Sequence, residues 1–147
     1  MNMPTVYELD NLTDLSPSMK GALVRCVVDF VQRSKTPYGV QAVYEYMLIG
    51  LRQHAASVII VLQDEELRGF AVFERVNDFL GGQCFIRAAY AKNPEVMKAG
   101  YAAIRAWAVE NKCRTINFIT MRNPKVYERL LRRHGFKQKN VEFEVTL

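Results

Sequence analysis

Two stretches of this sequence carry residues that are suited to binding an anion. The first is basic, because a single acid, Glu128, stands among seven cations between positions 122 and 139. The cations are Arg122, Lys125, Arg129, Arg132, Arg133, Lys137 and Lys139. Such a cluster serves either a phosphate-bearing ligand or a solvated helix face. Because no nucleic-acid motif accompanies it, we do not expect a nucleic-acid partner.

The second stretch is the junction that follows the apolar run CFIRAAYA at 84–91. Asn93 and Pro94 predict a helix start there, because asparagine caps a first turn and proline fits its first position. A further apolar run, TINFIT, follows that helix at 115–120. Strand, helix and strand of these lengths predict a right-handed parallel crossover. Ligands of such units bind where the first strand ends and the helix begins, here at 90–101.

Size, cysteine content and hydropathy narrow the class of protein. The chain has 147 residues, which fits a single domain over 1–147, and half of its residues are apolar. Cys26, Cys84 and Cys113 lie far apart in apolar stripes and favour buried free thiols in a reducing compartment. The two histidines are isolated, so no metal site is expected. No apolar run reaches the ~20 residues of a membrane helix and the first residues do not resemble a signal peptide, so we expect a cytoplasmic protein.

Hydrophobic periodicity predicts the elements that position these stretches. Weak alternation at 5–11 indicates a first strand, and apolar stripes at helical spacing indicate helices that begin at Pro17 and near Gly39. Apolar runs at 57–62 and 69–76 indicate the two strands of an antiparallel hairpin.

The C-terminal part repeats the same signals. Asn123 and Pro124 predict the start of a fourth helix, and Gly135 is a candidate for a left-handed residue at its end. Residues 141–147 alternate apolar and polar side chains, which predicts a half-exposed terminal strand.

The order of these elements resembles the GCN5-related N-acetyltransferase (GNAT) fold over nearly the whole chain. That order is strand, two helices, three strands, helix, strand, helix, strand. The hairpin whose second strand reads LRGFAVFE at 67–74 looks like the family's second and third strands. NPKVYERLLRRHGF at 123–136 looks like its fourth helix, which ends in Gly-Phe. The resemblance implies an α/β (α+β) fold, with a mixed, mostly antiparallel central sheet flanked by four helices.

The same resemblance implies an N-acetyltransferase that uses acetyl-CoA and an amine acceptor. In the family, backbone of the fourth strand pairs with the pantetheine arm, and the pyrophosphate binds amides at the start of the third helix. The cofactor-binding positions implied here are Ala89, Tyr90, Ala91, Lys98, Ala99, Gly100, Tyr101 and Asn123. The chain departs from the family's glycine-rich loop, because residues 93–103 hold one glycine, Gly100, which equally suits close helix–sheet packing. Pro94 also removes one amide donor, and Glu95 adds a negative charge.

Acetyl transfer needs a base for the amine's proton and an acid for the leaving thiolate. Glu74, at the end of the third strand, is the expected base, and a solvent-facing strand carboxylate is the alternative. In the family a tyrosine four residues before the Gly-Phe glycine often supplies the acid, but that position here is Leu131. Tyr127, one helical turn earlier, is therefore the expected donor, with helix–sheet packing as the alternative. The fourth strand contains no acid, and its one charge is Arg87.

Two functions remain open from the sequence. The first is an acyltransferase that moves an acetyl group from acetyl-CoA to a small-molecule or protein amine acceptor. The second is a catalytically inactive GNAT-like binding or structural subunit with a protein partner, for example a component of a viral particle. Family resemblance alone suggests the second, since viruses of bacteria encode small divergent proteins of this kind, and it would place the chain in a virion. The glycine-poor loop and Leu131 favour it.

Overall fold

One five-stranded sheet organises the residues that the computed structural model describes, which are 2–120, 124–127, 132–138 and 143–147. In chain order its elements are β1 (Thr5–Leu9), α1 (Pro17–Ser34), α2 (Val40–Arg52), β2 (Ser57–Gln63), β3 (Glu66–Asp78), β4 (Gly81–Ala91), α3 (Pro94–Glu110) and β5 (Cys113–Phe118). Short 3-10 turns span Leu12–Asp14 and Pro124–Tyr127. The predicted α+β class is confirmed.

The strands lie in the sheet in the order in which they occur in the chain. β1 to β4 pair as antiparallel neighbours, and β5 pairs parallel to β4. The β2–β3 turn is tight because Asp64 and Glu65 both take left-handed backbone conformations, with φ of 53° and 64°. The predicted hairpin, the parallel crossover through α3 and the mixed, mostly antiparallel sheet are therefore confirmed.

The two faces of the sheet bury separate apolar cores. Val58, Phe70 and Val72 point towards α1 and α2, and Leu23 and Met47 cover them from those helices. On the opposite face, α3 and the sheet together bury a second apolar cluster. Its buried members are Ile59, Ala71, Phe73, Cys84, Ile104 and Ala108. None of the helices among the described residues is long and apolar enough to cross a bilayer.

The helix starts follow the sequence signals closely. The Ser16 hydroxyl accepts the amide of Met19 at 3.2 Å, and the Asn93 side chain accepts the amide of Val96 at 3.0 Å. A proline follows each cap at the first helical position. The predicted starts of α1 and α3 are therefore confirmed, and α2 begins at Val40 after an extended Gly39.

The C-terminal region agrees with the sequence only in part. Residues 132–134 are helical and Gly135 has a left-handed φ of 71°, as expected at the end of a fourth helix. Asn123 and Leu131 lie outside the described residues. Residues 143–147 form neither helix nor strand, and Phe143 and Leu147 are fully exposed. The predicted terminal strand is absent over 143–147, because alternation makes a strand only where a partner strand hydrogen-bonds to it.

Each of three irregularities in the sheet leaves one arginine without a register partner. Arg68 is the extra residue between β2 and β3, Arg87 between β3 and β4, and Arg114 between β4 and β5. Every ion pair within the described residues involves one of the three: Arg68 contacts Asp64 and Glu66, Arg87 contacts Glu74, and Arg114 contacts Asp78. A bulge redirects its side chain, so each arginine reaches an acid on a neighbouring turn or strand.

Two glycines lie at the interface of α3 with the sheet, Gly69 on β3 and Gly100 on α3, and they differ in how much room a Cβ atom would have. A Cβ atom on Gly69 would lie 2.7 Å from Cγ1 of Val96 and 2.9 Å from the carbonyl oxygen of Tyr90. A Cβ atom on Gly100 would lie 3.6 Å from Cγ2 of Val61, an ordinary contact distance. The helix start therefore needs glycine on β3, whereas the helix itself does not need glycine at position 100.

We expect Gly69→Ala to lower the free energy of unfolding by about 1–3 kcal/mol, because Val96 and the β4 backbone must move. Gly100→Ala should instead raise it by roughly 0.5–1 kcal/mol, because alanine favours a helix interior and meets no obstacle. Chemical denaturation of the two variants beside the wild type measures both. Equal stability of Gly69→Ala and the wild type would contradict the packing described for α3.

Candidate functional site

The central feature of the candidate site is a strand edge that loses its partner. Pairing of β4 with β5 ends at Ile86 and Phe118, yet β4 continues to Ala91. Over residues 88–91 the strand is paired with β3 alone within the described part of the chain. Ala89 is exposed although its strand lies between two others, which indicates an open gap beside it. This gap is the one that sequence reasoning places at the end of the fourth strand.

A polar cluster lies on the side of α2 at the closed end of this gap, which is the end where the pairing of β4 with β5 stops. Nε of Arg87 donates to Oε1 of Glu74 at 2.7 Å, and Nη2 of the same guanidinium also contacts Oε1. The Tyr46 hydroxyl donates to Oε2 of Glu74 at 3.1 Å. Each oxygen of the predicted base is thus already engaged. The Glu74 side chain is 16% exposed and that of Arg87 is 40% exposed, so the cluster borders solvent.

Aromatic and electrostatic contacts hold this cluster in place. The Arg87 guanidinium lies over the Phe85 ring, 4.3 Å from its centre, which is a cation–π distance. Burial raises the pKa of the Tyr46 hydroxyl, and the Glu74 carboxylate adds to the rise. Tyr46 therefore stays protonated at neutral pH and acts as a donor to Glu74.

The other end of the gap carries a second polar group on the face of α1. The Tyr90 hydroxyl donates to Oδ2 of Asp29 at 3.0 Å, and the Arg33 guanidinium carbon lies 5.3 Å from the centre of the Tyr90 ring. Burial raises the pKa of Tyr90, and its hydrogen bond to Asp29 raises it further. The side chain of Tyr90 thus fixes β4 to α1, while its backbone remains on the open edge.

The start of α3 offers few amides to a phosphate. Of the four amides that open a helix, Pro94 has none and Val96 donates to the Asn93 side chain. Lys98, Ala99, Gly100 and Tyr101, implied by the family resemblance, lie in the interior of α3, where amides donate to carbonyls four residues earlier. The side chains of Lys98 and Lys92 are exposed and remain the cations beside this junction.

A buried amide side chain fixes the helix start to the sheet. Gln63 is 1% exposed, and its oxygen accepts from Asn93 at 2.9 Å and from Arg68 at 3.0 Å. Its nitrogen donates to Oε2 of Glu95 at 2.8 Å and to the carbonyl of Asn2 at 3.4 Å. The Glu95 carboxylate is therefore held towards β2.

Tyr127 and Tyr101 both belong to an aromatic cluster around the end of β5. The Tyr127 hydroxyl accepts from the Thr120 hydroxyl at 3.0 Å, and its ring lies 5.5 Å from that of Phe118. Phe136 contacts the rings of Phe118 and Tyr101, at 5.5 and 5.7 Å. Phe118 is the last residue of β5 that pairs with β4, so the predicted acid lies near the closed end of the gap. Asn123 belongs to the same region but lies outside the described residues.

Two of the three thiols are unreactive, and the described part of the chain holds no metal site. Burial raises the pKa of Cys26 to about 11 and that of Cys84 to about 12, so both thiols stay protonated and unreactive at neutral pH. All three cysteines are free. No group of three potential metal ligands occurs among the described residues.

A cleft of about 520 Å³ lies between α1 and the β2–β3 turn and shares Asp29 and Lys92 with the α1 side of the gap. Arg25, Asp29, Glu66 and Lys92 contribute charges of both signs to it. Glu66 is already paired with Arg68, and Asp29 accepts from Tyr90. The cleft lacks a set of converging unpaired groups, so we place the candidate site at the β4 edge.

A role for Arg87 was not assigned from the sequence, and the contact of Tyr46 with Glu74 was not predicted from it. Tyr46 is 28 residues from Glu74 in the chain, and its place beside the acid depends on how α2 crosses the sheet. Arg87 interrupts the apolar run CFIRAAYA, and that interruption was the available signal.

No protein-family model and no curated protein matches this chain. Several solved structures do match it in fold. A CoA complex of the aminoglycoside N-acetyltransferase AAC(6')-Iy matches with a TM-score of 0.75 and 16% identity, over 97% of this chain and 94% of that one. A ribosomal-protein-alanine N-acetyltransferase from Brucella melitensis matches with a TM-score of 0.70 and 15% identity, over 98% and 99% of the two chains.

A predicted acetyltransferase from Clostridium acetobutylicum, solved with acetyl-CoA, matches with a TM-score of 0.72 and 11% identity, over 98% of this chain and 96% of that one. Likeness at such identities is evidence about the fold alone. The GNAT fold expected from the sequence is confirmed.

We expect Gln63→Leu to lower the free energy of unfolding by about 1–2 kcal/mol, because it leaves the half-buried ends of Asn93 and Arg68 without their shared acceptor. Gln41→Leu is the matched control, since Gln41 makes one exposed hydrogen bond, to Glu45 on the same helix. We expect the control to change stability by less than about 0.5 kcal/mol. Urea denaturation measures both variants, and equal losses would show that the Gln63 network adds nothing beyond a surface contact.

Proposed function

We propose that this protein is an acyltransferase that moves an acetyl group from acetyl-CoA to an amine acceptor. The observation that carries the proposal is the open edge of β4 between Arg87 and Ala91, beside a gap that β5 leaves unfilled. An extended ligand with its own amide groups can add to such an edge as a further strand would. The pantetheine arm of CoA is a ligand of this kind. Solved structures of the same fold with CoA or acetyl-CoA support the assignment.

The phosphates of the cofactor would depend on side-chain charge more than on backbone amides. Pro94 and the Asn93 cap leave at most the amides of Asn93 and Glu95 at the start of α3. The exposed Lys92 and Lys98 flank this junction, and the Glu95 carboxylate is held towards Gln63 on β2. The helix dipole adds a favourable field for an anion. We therefore expect cofactor binding that weakens markedly with salt.

Groups at the closed end of the gap would act as the general base and the general acid. Acetyl-CoA, when bound, supplies the thioester that the acceptor amine attacks. Glu74 has lone pairs left beyond its bonds to Arg87 and Tyr46, and it takes the amine's proton directly or through a water. Tyr127, beside Thr120 at the end of β5, is the proposed proton donor to the departing thiolate.

The main alternative is a GNAT-like subunit without catalysis. The poor supply of amides at the start of α3 favours it, because a binding or structural role does not need a phosphate site. A protein partner would then take the place of the acceptor. Cofactor binding separates the two functions.

Isothermal titration calorimetry with acetyl-CoA tests the proposed function. We expect a dissociation constant in the micromolar range at low salt and a clear loss of affinity as salt rises, because charged side chains hold the phosphates. Ala89→Phe should weaken binding at least tenfold by filling the gap beside β4. No heat of binding at millimolar acetyl-CoA would refute the acyltransferase and leave the inactive subunit.

Thr5→Phe is the control for the Ala89 variant. Thr5 is also exposed on a strand, but it lies on β1 at the opposite edge of the sheet. We expect it to bind acetyl-CoA as the wild type does. An equal loss in both variants would mean that bulky substitutions disturb the sheet as a whole, and the gap would not be the cofactor site.

A further inference from the structure

We propose that the acceptor of this enzyme carries a carboxylate beside its reactive amine, as an α-amino acid does, and that Arg87 binds that carboxylate. The inference rests on the proposed acetyl transfer and names the substrate class of the same site. It follows from the orientation of one guanidinium, its position at the end of the gap and the charges around it.

The Arg87 guanidinium is held rigidly on two of its sides. Its Nε and Nη2 groups contact Oε1 of Glu74, and one of its faces lies over the Phe85 ring. Its Nη1 group has no ion-pair partner among the described residues, and 40% of the side chain is exposed. A guanidinium fixed in this way presents its remaining N–H groups in a plane that matches a carboxylate. Because Glu74 and Phe85 already restrict the side chain, a ligand loses little entropy in ordering it.

The position of Arg87 places its guanidinium beside Glu74 and the Tyr46 hydroxyl, with which it also forms a side-chain hydrogen bond. Arg87 is the extra residue of the bulge between β3 and β4, directly before the buried Ala88. The open edge begins there, one residue past the last pair with β5. An acceptor whose amine reaches Glu74 would therefore have its neighbouring group within the span of the same arginine.

The charges around the gap disfavour a polycationic acceptor. A polycation needs unpaired carboxylates, but Glu74 is paired with Arg87 and Asp29 accepts from Tyr90. Arg33 adds a second guanidinium over the Tyr90 ring, without an ion-pair partner among the residues described. The chain as a whole carries a net charge of +5. The local field thus favours an acceptor with a negative group.

Matched pairs of acceptors test this inference. Each of a panel of α-amino acids is compared with its own primary amide, which keeps the amine and removes the negative charge. The readout is kcat/KM for the acetylated product, measured by mass spectrometry with saturating acetyl-CoA. We expect the best amino acid to exceed its amide by about tenfold or more, the range of a charge-assisted bond. Equal rates, a preference for amides, or no transfer to any amino acid would overturn the inference.

Arg87 variants show whether this residue creates the preference. Arg87→Gln should reduce the ratio of acid to amide to below about threefold, and Arg87→Lys should give an intermediate ratio because lysine keeps the charge but not the fork. Arg114→Gln is the control, since Arg114 is also a bulge arginine, is 38% exposed at its side chain and pairs with Asp78 on the same sheet. It should keep the full ratio. An unchanged ratio in Arg87→Gln would assign the preference to another group and refute the role of Arg87.

Calorimetry separates failure of this inference from failure of the proposed function. Acetyl-CoA binding without a preference for the acid overturns the inference and leaves the acyltransferase intact. Absence of acetyl-CoA binding overturns both.

Discussion

An unpaired strand edge in the middle of a sheet is the constraint on which this structure depends. β4 has 11 residues and its parallel neighbour β5 has six, so among the described residues the backbone from Arg87 to Ala91 has no partner on the β5 side. Unpaired backbone groups attract another strand unless something limits access to them. Here α3 follows directly after β4 and packs over one face, while α1 and α2 cover the other. The edge therefore stays accessible to a narrow, extended ligand and closed to a whole sheet.

The position of α3 follows from two devices beneath its first turn. Gly69 lets Val96 come close to β3, and Gln63 ties Asn93 and Glu95 to the sheet. The same devices limit what the helix start can do for an anion, because the Asn93 cap uses one amide and Pro94 supplies none. The Asn93 cap and a bound phosphate would compete for the same backbone amides at the helix start. In this chain the cap and the proline take up these amides, and the exposed Lys92 and Lys98 lie next to the helix start.

Much of the fold could be predicted from the sequence because it depends on local signals. Ser16-Pro17 and Asn93-Pro94 fix helix starts, and apolar periodicity identifies each helix and strand up to β5. The site was less predictable, because Tyr46, Glu74 and Arg87 come from three elements and meet only through the crossing of α2 and a bulge. A bulge adds one residue and shifts the alternation, which a two-residue period cannot reveal. The prediction of a terminal strand was wrong over 143–147 for a related reason, since alternation of apolar and polar residues does not specify a partner strand.

Backbone groups and side chains have different roles in this site, which is compatible with a close structural likeness at low sequence identity. Pairing along a strand edge uses backbone groups, so it does not require shared side chains, and the solved structures that match this fold share only 11–16% of their residues with it. The proposed recognition of an acceptor would depend instead on side chains at the closed end of the gap. In this protein the acid at that end is neutralised by its own arginine, and the arginine retains an outward end. If the proposed acetyl transfer holds, the backbone edge would serve the CoA thioester and Arg87 would contribute to the choice of amine.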